Sequence, residues 1–226
     1  MIAIIGAMEE EVLEITKLIE NQSKKTIKDV DFIEGSLNNK AVVVFLSGIG
    51  LTNAALRLTL ALDHFKIDGV VNIGTAGGIG NEVQVLDVII STKVAYHEFD
   101  ISVFGNPRSF SDDNRFCYKA DSNYIKLAQT LIKDRTLIGP MVSGNQFISE
   151  VKQIESIEKY YPEALCADME AAAIAHVSSF FNCPFIILRS ISDHVKHPDN
   201  NLSFEAYLQK ASKRSAEFVY NFVGAL

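Results

Sequence analysis

Short apolar runs rich in β-branched residues alternate along the chain with longer stretches of helical periodicity. The runs that predict strands lie at 2–6, 41–46, 69–74, 86–96, 137–147 (interrupted by Gly139-Pro140) and 185–191. The stretches that predict helices lie at about 9–20, 52–65, 171–181 and 203–223. This alternation predicts an α/β fold, a three-layer α/β/α arrangement in which helices cover a central, twisted, largely parallel mixed sheet.

The chain is long and apolar enough for one large core, since 48% of its 226 residues are hydrophobic. It shows no internal repeat, low-complexity segment or linker, so we predict a single domain over residues 1–226. One long irregular stretch, about 106–116, is rich in Asn, Ser, Asp and Arg. Its length favours a functional loop or a partner contact, and a plain surface excursion explains it equally well.

Charge and hydropathy exclude several classes of partner. The formal net charge is −7 and no long basic run occurs, whereas a nucleic-acid surface needs clustered Lys and Arg. No apolar run approaches the roughly 18–20 residues of a membrane span. The N-terminal residues indicate a first strand that runs into acids, not a signal peptide. We therefore expect a cytoplasmic protein that binds neither nucleic acid nor membrane.

The metal-ligating residue types follow no standard pattern. Three cysteines without C-x-x-C spacing argue against a disulfide framework or a structural zinc site. The spacings of His97, His194 and His197 match no ligand set, so we expect loop histidines in water and no metal.

The predicted strands end in residues suited to binding a small polar molecule. In open α/β sheets, ligands bind beyond the carboxyl ends of strands. The segments at those ends are Gly6–Glu11, Ser47–Gly50, Gly74–Gly78, Ser143–Ile148 and Arg189–Asp193. They supply glycines for close approach, an aromatic ring, an arginine and several acids, which is what such a site requires.

Each of these segments also has a purely structural interpretation. Gly74-x-x-Gly77-Gly78 is neither a dinucleotide motif nor a phosphate-binding loop, and a tight strand-to-helix turn explains it as well. The acids 9–11 suit the first turn of a helix, so at most one should point into a site. Asp168 opens the apolar segment 171–181 and suits a helix N-terminus in the same way. Arg189 and Asp193 end a buried strand, where a structural ion pair competes with a functional role.

Taken in order and with their spacing, these segments resemble a known family. The matching segments are Gly6-Ala7-Met8-Glu9-Glu10-Glu11, Ser47-Gly48-Ile49-Gly50, Gly74-Thr75-Ala76-Gly77-Gly78, Val142-Ser143-Gly144 with Phe147-Ile148, Met169-Glu170-Ala171, and Arg189-Ser190-Ile191-Ser192-Asp193. Together they resemble the bacterial 5′-methylthioadenosine/S-adenosylhomocysteine nucleosidases over essentially the whole chain. The resemblance implies a purine nucleoside phosphorylase-like fold, usually as a homodimer. It also implies hydrolysis of an N-glycosidic bond to adenine and a 5-thioribose, with water as second substrate and no cofactor.

The resemblance assigns roles to individual residues. Glu11 matches the general base that activates water, and Asp193 matches the general acid that assists protonation of adenine N7. Glu170 matches the carboxylate that grips the ribose hydroxyls, with Met169 beside it. Phe147 matches the ring that stacks on adenine, and the Ile148 backbone matches the group that hydrogen-bonds its edge.

Further positions match residues that line the substrate pocket of the family, namely Met8, Ile49, Thr75, Gly77, Arg189 and the lid aromatic Phe204. Ile101 and Phe104 match residues that reach into the pocket of the partner subunit. Two segments depart from the family: the loop 105–113, with an Arg and two Asp, and the lid 194–201, which is about one residue longer.

The chemistry supports these roles independently. Breaking a ribosyl–nitrogen bond builds positive charge on the sugar and negative charge on the purine. A carboxylate beside the ribose stabilises the first charge, and a proton donor at the purine neutralises the second. Two acids must therefore hold different protonation states at one pH, which enzymes achieve through different environments.

Two other functions compete with hydrolysis. A phosphorolytic enzyme of this fold would need Arg side chains for phosphate, whereas the matching loops offer acids 9–11, Thr52 and Thr75. A non-catalytic nucleoside binder would be expected to lack one of Glu11, Glu170 and Asp193, and all three are present.

Overall fold

The computed structural model describes the backbone of residues 1–196 and 204–226, and the side chains of all of these except 204–206 and 208. The strands in the described residues are β1 Ile2–Gly6, β2 Glu20–Ile27, β3 Val30–Leu37, β4 Lys40–Leu46, β5 Gly69–Asn72, β6 Thr75–Gly78, β7 Val88–Tyr96, β8 Cys117–Lys119, β9 Thr136–Ser143, β10 Cys166–Asp168 and β11 Phe185–His194. The helices are α1 Glu9–Thr16, α2 Leu51–His64, α3 Ser122–Leu131, α4 Val151–Glu158, α5 Ala171–Phe180 and α6 Phe204–Ala225.

The strands form one mixed sheet in the order β2-β3-β4-β1-β5-β11-β6-β10-β9-β7-β8. Strand β11 lies at its centre, because its first half pairs parallel with β5 and its second half pairs parallel with β6. Residues Leu188–Ser190 of β11 also pair antiparallel with β7. This extra pairing closes β11, β6, β10, β9 and β7 into a ring, and the remaining strands extend from it as an open sheet.

Side-chain alternation on β1 shows how the sheet is covered. Ala3 and Ile5 pack into one apolar cluster with side chains of α2 and α5. Ile2 and Ile4 point to the opposite face and pack with side chains of α1 and α6. Burying an Ile completely contributes about 1.5–3 kcal/mol, so helices on both faces stabilise the sheet. The result is the three-layer arrangement that the hydrophobic pattern predicts.

The prediction of a helix over 9–20 was wrong at its end. Helix α1 ends at Thr16, and Glu20 begins β2, an exposed strand that pairs with β3. Lys28 and Asp29 connect the two strands with φ of 49° and 61°, as in the turns that suit tight hairpins. Strand β2 is polar and solvent-exposed along most of its length, so no apolar alternation reveals it in the sequence.

The glycine-rich segment after β5 is a strand and not a strand-to-helix turn. Residues Thr75–Gly78 form β6, which pairs parallel with β11 and antiparallel with β10. A Cβ on Gly78 would lie 2.7 Å from the His194 ring, so the strands approach too closely for a side chain there. Similarly, Gly139-Pro140 does not interrupt β9, which continues to Ser143.

Candidate active site

A cavity of about 160 Å³ opens where β1, β9, β10 and β11 end. The predicted site residues that line it are Met8, Glu11, Ile49, Thr75, Gly77, Phe147, Ile148, Met169, Glu170 and Asp193. The structure therefore brings these residues, from segments distant in the sequence, together around one cavity. The other lining residues are Ala7, Ala76, Gln146, Ala167, Asp168 and Ser192.

The first turn of α1 delivers one acid to this cavity. Glu11 is 7% exposed, whereas Glu9 and Glu10 face solvent. Its Oε2 accepts hydrogen bonds from the backbone N–H groups of Ala7 (2.7 Å) and Met8 (3.2 Å). Its Oε1 accepts from the Thr75 N–H at 3.0 Å and from the Thr75 hydroxyl at 3.4 Å. These donors on β6 and on the loop after β1 fix the carboxylate in one orientation.

Asp168 lies at the cavity wall and accepts several hydrogen bonds within a buried ionic network. The Arg189 guanidinium donates to Asp168 Oδ2 from Nε (2.9 Å) and Nη2 (2.6 Å), and to Asn72 Oδ1 at 2.7 Å. Asp168 also accepts from the Ser143 hydroxyl and from the Ala171 N–H at the start of α5. Both charges are thus paired and hydrogen-bonded, as burial requires.

This network changes the expected role of Arg189. The sequence left open an ion pair with Asp193 or a contact with substrate, but the ion pair is with Asp168. Arg189 is only 2% exposed and does not line the cavity. Its charge reaches the site through the low-dielectric interior, where it helps to hold negative charge near the cavity.

Glu170 lies at the cavity wall just before α5, and it is 7% exposed. Its Oε1 accepts the Gly50 N–H at 2.8 Å, at the N-terminus of α2. Gly50 has φ of +94°, a conformation that L side chains rarely adopt, and this conformation lets its N–H face the carboxylate. Burial, followed by the nearby Asp168 charge, raises the pKa of Glu170 to about 7. The buried position of Glu170 beside Asp168 therefore disfavours its charged form.

Asp193 reaches the cavity through an irregularity in β11. The pairing of β11 with β6 shifts register between Ile191 and Asp193, where a bulge re-aims side chains. The Ser192 hydroxyl donates to Asp193 Oδ1 at 2.6 Å. A Cβ on Gly77 would lie 3.5 Å from Asp193 Oδ2, so the glycine leaves one side of the carboxyl open to the cavity.

The apolar part of the wall comes from four loops. Phe147 is 68% exposed and stands at the cavity rim, while Ile148 beside it is buried. Met8 and Met169 contribute flexible thioether side chains, and Ile49 closes another edge. A flat exposed ring over a pocket with apolar walls and acids suits a planar base joined to a polyhydroxylated sugar.

The sequence as a whole matches proteins of known activity. The model of the phosphorylase superfamily matches residues 1–224. The 5′-methylthioadenosine/S-adenosylhomocysteine nucleosidase of Staphylococcus carnosus is 38% identical over 229 aligned residues, which cover all of both chains. The chain belongs to the 5′-methylthioadenosine/S-adenosylhomocysteine nucleosidase family.

Solved structures support the nucleosidase fold. A putative nucleosidase of this family from Borrelia burgdorferi, bound to adenine, is 33% identical with a TM-score of 0.91, covering 100% of each chain. The Neisseria meningitidis nucleosidase in complex with methylthio-immucillin-A is 33% identical with a TM-score of 0.90, covering 100% of this chain and 99% of that one. The predicted α/β fold of the phosphorylase type is thereby confirmed.

The two residues that the family resemblance places in the partner subunit's pocket, Ile101 and Phe104, lie away from the cavity of their own chain. Ile101 precedes a short 3₁₀ turn, Ser102–Phe104, and the Phe104 side chain is 79% exposed. Neither residue lines the cavity of its own chain. Phe204, which the resemblance predicts to be a lid aromatic, begins α6, but its side chain lies outside the described residues, as do residues 197–201 of the predicted lid.

The divergent loop of this nucleosidase keeps its charges away from the cavity. Arg108 stacks on the Tyr160 ring at 3.8 Å and donates to the His97 carbonyl oxygen at 2.7 Å. Asp112 forms ion pairs with Lys93 and Lys119. Each of these contacts joins the loop to its own chain, so Arg108 and Asp112 do not face the nucleoside cavity described above.

The expectation of solvated histidines was wrong for two of three. His97 and His194 are 6% and 3% exposed, and the His194 ring lies 3.1 Å from the Gly80 carbonyl oxygen. Burial lowers the pKa of His97, so the neutral ring is favoured. His197 lies outside the described residues. Within the described part of the chain, no three His, Cys, Asp or Glu side chains cluster in a way that suits a metal.

Sequence reasoning missed two functional features of this site. Asp168 was interpreted as a helix-terminal acid, and it caps α5 while also pairing with Arg189. The sequence assigns no role to Ser192, although its hydroxyl donates a hydrogen bond to the Asp193 carboxylate. A hydroxyl directly before a carboxylate at the end of a buried strand was the available signal.

Proposed function

We propose that this protein hydrolyses the N-glycosidic bond of 5′-methylthioadenosine, S-adenosylhomocysteine and 5′-deoxyadenosine, releasing adenine and the thioribose or deoxyribose product. The observation that carries the proposal is that Glu11, Glu170 and Asp193 line one cavity of nucleoside-binding character. Water is the second substrate, and the chemistry calls for no metal or organic cofactor.

Glu170 and Glu11 act on the sugar side. Glu170 accepts hydrogen bonds from the ribose hydroxyls, and its negative charge stabilises the positive charge that develops as the glycosidic bond breaks. Glu11 takes a proton from water and thereby activates it for attack on the anomeric carbon. Its four hydrogen bonds keep the carboxylate aimed at that water.

Asp193 acts on the purine side. Phe147 stacks on the adenine ring and the Ile148 backbone meets its edge, which places N7 near Asp193. Asp193 then donates a proton to N7, so that adenine leaves as a neutral base. The Ser192 hydroxyl bonded to Oδ1 orients the carboxyl for this donation.

Hydrolysis is favoured over phosphorolysis by the charges at the cavity. Among its described lining residues there is no Lys or Arg, whereas Glu11, Asp168, Glu170 and Asp193 are all present. The buried Arg189 is already paired with Asp168. An incoming phosphate would therefore be repelled by the carboxylates and would find no Lys or Arg side chain in the described lining to bind it.

Product analysis with and without inorganic phosphate tests the proposal. Purified protein is incubated with 5′-methylthioadenosine, and adenine and the sugar are quantified by chromatography. We expect free adenine and unphosphorylated methylthioribose at a rate independent of phosphate. Methylthioribose 1-phosphate formed only with phosphate would make the protein a phosphorylase and refute the role of Glu11. Absence of turnover would refute the enzyme assignment.

We further propose that residues 1–226 form one domain that works as a homodimer. In the dimer, Ile101 and Phe104 would contact the 5′ substituent in the partner's cavity. The exposed Phe104 and Val103 side chains support this, because such exposed apolar residues mark interfaces. Light scattering at micromolar concentration should give twice the chain mass, and Phe104→Ser should raise KM more than it lowers kcat.

We also propose a cytoplasmic location and a role in nucleoside catabolism and methionine salvage. None of the helices in the described residues is long and apolar enough to cross a membrane. Cell fractionation, together with measurement of 5′-methylthioadenosine in cells lacking the gene, would test both points. Unchanged nucleoside levels would contradict the proposed role.

A further inference from the structure

A second, much smaller cavity lies on the other side of Glu11. Its volume is about 10 Å³, and it is lined by Glu11, Gly74, Thr75, Ala211, Ser212 and Ser215. The last three residues belong to α6, so this cavity separates the proposed general base from the C-terminal helix. A volume of this size corresponds to one water molecule when polar partners surround it.

The buried hydroxyl of Ser212 faces this cavity, and no other contact in the described residues accounts for a polar group at this position. The residue is 6% exposed, and its Oγ has no hydrogen-bond partner among the described residues. Leaving a hydroxyl buried and unbonded disfavours folding, so such groups are normally satisfied by protein or by ordered water. Alanine would fit this position of a helix better, since it has the higher helix propensity and no hydroxyl to satisfy.

The geometry of Glu11 indicates which of its oxygens faces this cavity. Oε2 is bound by the N–H groups of Ala7 and Met8 on the loop after β1. Oε1 is bound by Thr75, and a Cβ on Gly74 would lie 3.0 Å from it. Gly74 and Thr75 both line the small cavity, so Oε1 is the oxygen beside it.

We propose that Ser212 is a positioning residue for Glu11 and acts through one water molecule bound in this cavity. The water accepts a hydrogen bond from the Ser212 hydroxyl and donates a hydrogen bond to Glu11 Oε1. It thereby adds a donor from α6 to those from β6 and the loop after β1, and further restricts the orientation of the carboxylate. Its kinetic consequence rests on the hydrolase function proposed above.

Kinetics of three variants test the role of Ser212. Ser212→Ala should lower kcat about tenfold, which corresponds to about 1.4 kcal/mol, with KM nearly unchanged. Ser178→Ala is the matched control, because Ser178 on α5 is also buried and its hydroxyl is also unbonded among the described residues. We expect wild-type kinetics for Ser178→Ala and recovery of most activity in Ser212→Thr, which keeps the hydroxyl.

The pH profile of kcat/KM separates positioning from a general packing effect. The charged or titratable groups that face Glu11 are Asp168, Glu170, Arg189, Asp193 and Tyr207, on β10, the start of α5, β11 and α6. All of them remain in Ser212→Ala. Losing a donor to the charged carboxylate should therefore move the acidic limb of the profile to higher pH. A kcat within twofold of wild type, or an unmoved limb, would overturn the proposal.

A crystal structure provides a test that does not depend on activity. At high resolution we expect a water within hydrogen-bond distance of both Ser212 Oγ and Glu11 Oε1, and its loss in Ser212→Ala. Finding no water there, or a water that does not reach Glu11, would overturn the positioning role even in an active enzyme. An inactive wild-type protein would refute the proposed function, and the crystal structure would still decide the role of Ser212.

Discussion

Replacing Glu170 with Gln should stabilise the ligand-free protein at alkaline pH. Burial and the nearby Asp168 charge raise the pKa of this carboxyl from 4.5 to about 7. Between these two values the folded state holds a proton that the unfolded state has released. The free energy of unfolding therefore falls as pH rises from about 4.5 through about 7. The neutral Gln carries no such penalty.

The magnitude follows from the pKa difference and from the local hydrogen bonds. The difference between 4.5 and about 7 corresponds to about 3 kcal/mol when each pH unit is worth about 1.4 kcal/mol. Gln keeps an oxygen that accepts the Gly50 N–H, and its amide faces the cavity. We therefore expect a gain of about 1–3 kcal/mol above pH 8 and less than about 1 kcal/mol near pH 5.

Urea denaturation of the wild type and of Glu170→Gln from pH 5 to pH 8.5 measures this difference directly. Glu155→Gln is the control, because Glu155 is an exposed acid on α4. Its stability difference from wild type should not change with pH. The reasoning about Glu170 would be refuted by a difference that is equally flat, or that shrinks as pH rises. The same variant should bind nucleoside poorly, because the role in ribose binding proposed for Glu170 depends on its negative charge.

Two other sets of variants test the site. Glu11→Gln and Asp193→Asn should each lower kcat by about 10²–10⁴ while circular dichroism shows an intact fold, and retention of most activity by either would refute its role. Asp168→Asn should lower the free energy of unfolding by about 3–5 kcal/mol in urea at pH 7, because it leaves the Arg189 charge buried without a carboxylate. Wild-type stability for Asp168→Asn would mean that the network is not needed to hold Arg189.

Much of the fold was predictable because a strong hydrophobic pattern in a segment indicates both its secondary structure and which of its side chains are buried. Strands β1 and β4 and the first half of β11 are apolar nearly throughout, and α2 and α6 are long and periodic. Glycines and acids follow several of the apolar strands, and the structure brings these strand ends together around one cavity. Family resemblance then supplied the residue roles.

The elements and contacts that the sequence did not reveal are determined by contacts between segments that are far apart along the chain. Strand β6 is four residues of small side chains, and it is a strand because β10 and β11 lie on either side of it. Strand β2 is polar along most of its length because it lies at the sheet edge. The partner of Arg189 could not be chosen from the sequence, since several acids follow neighbouring strands and only the packed geometry selects Asp168.

The central position of β11 has a consequence for how the protein is made. This strand joins β5, β6 and β7, yet it is the last strand in the part of the chain that the structure describes. During synthesis on the ribosome, the edges of β5, β6 and β7 that pair with β11 remain unpaired until residues 185–194 have been synthesised. Unpaired strand edges favour aggregation. Nascent chains that stop before β11 are therefore expected to depend on chaperones or be degraded, however complete their active-site loops are.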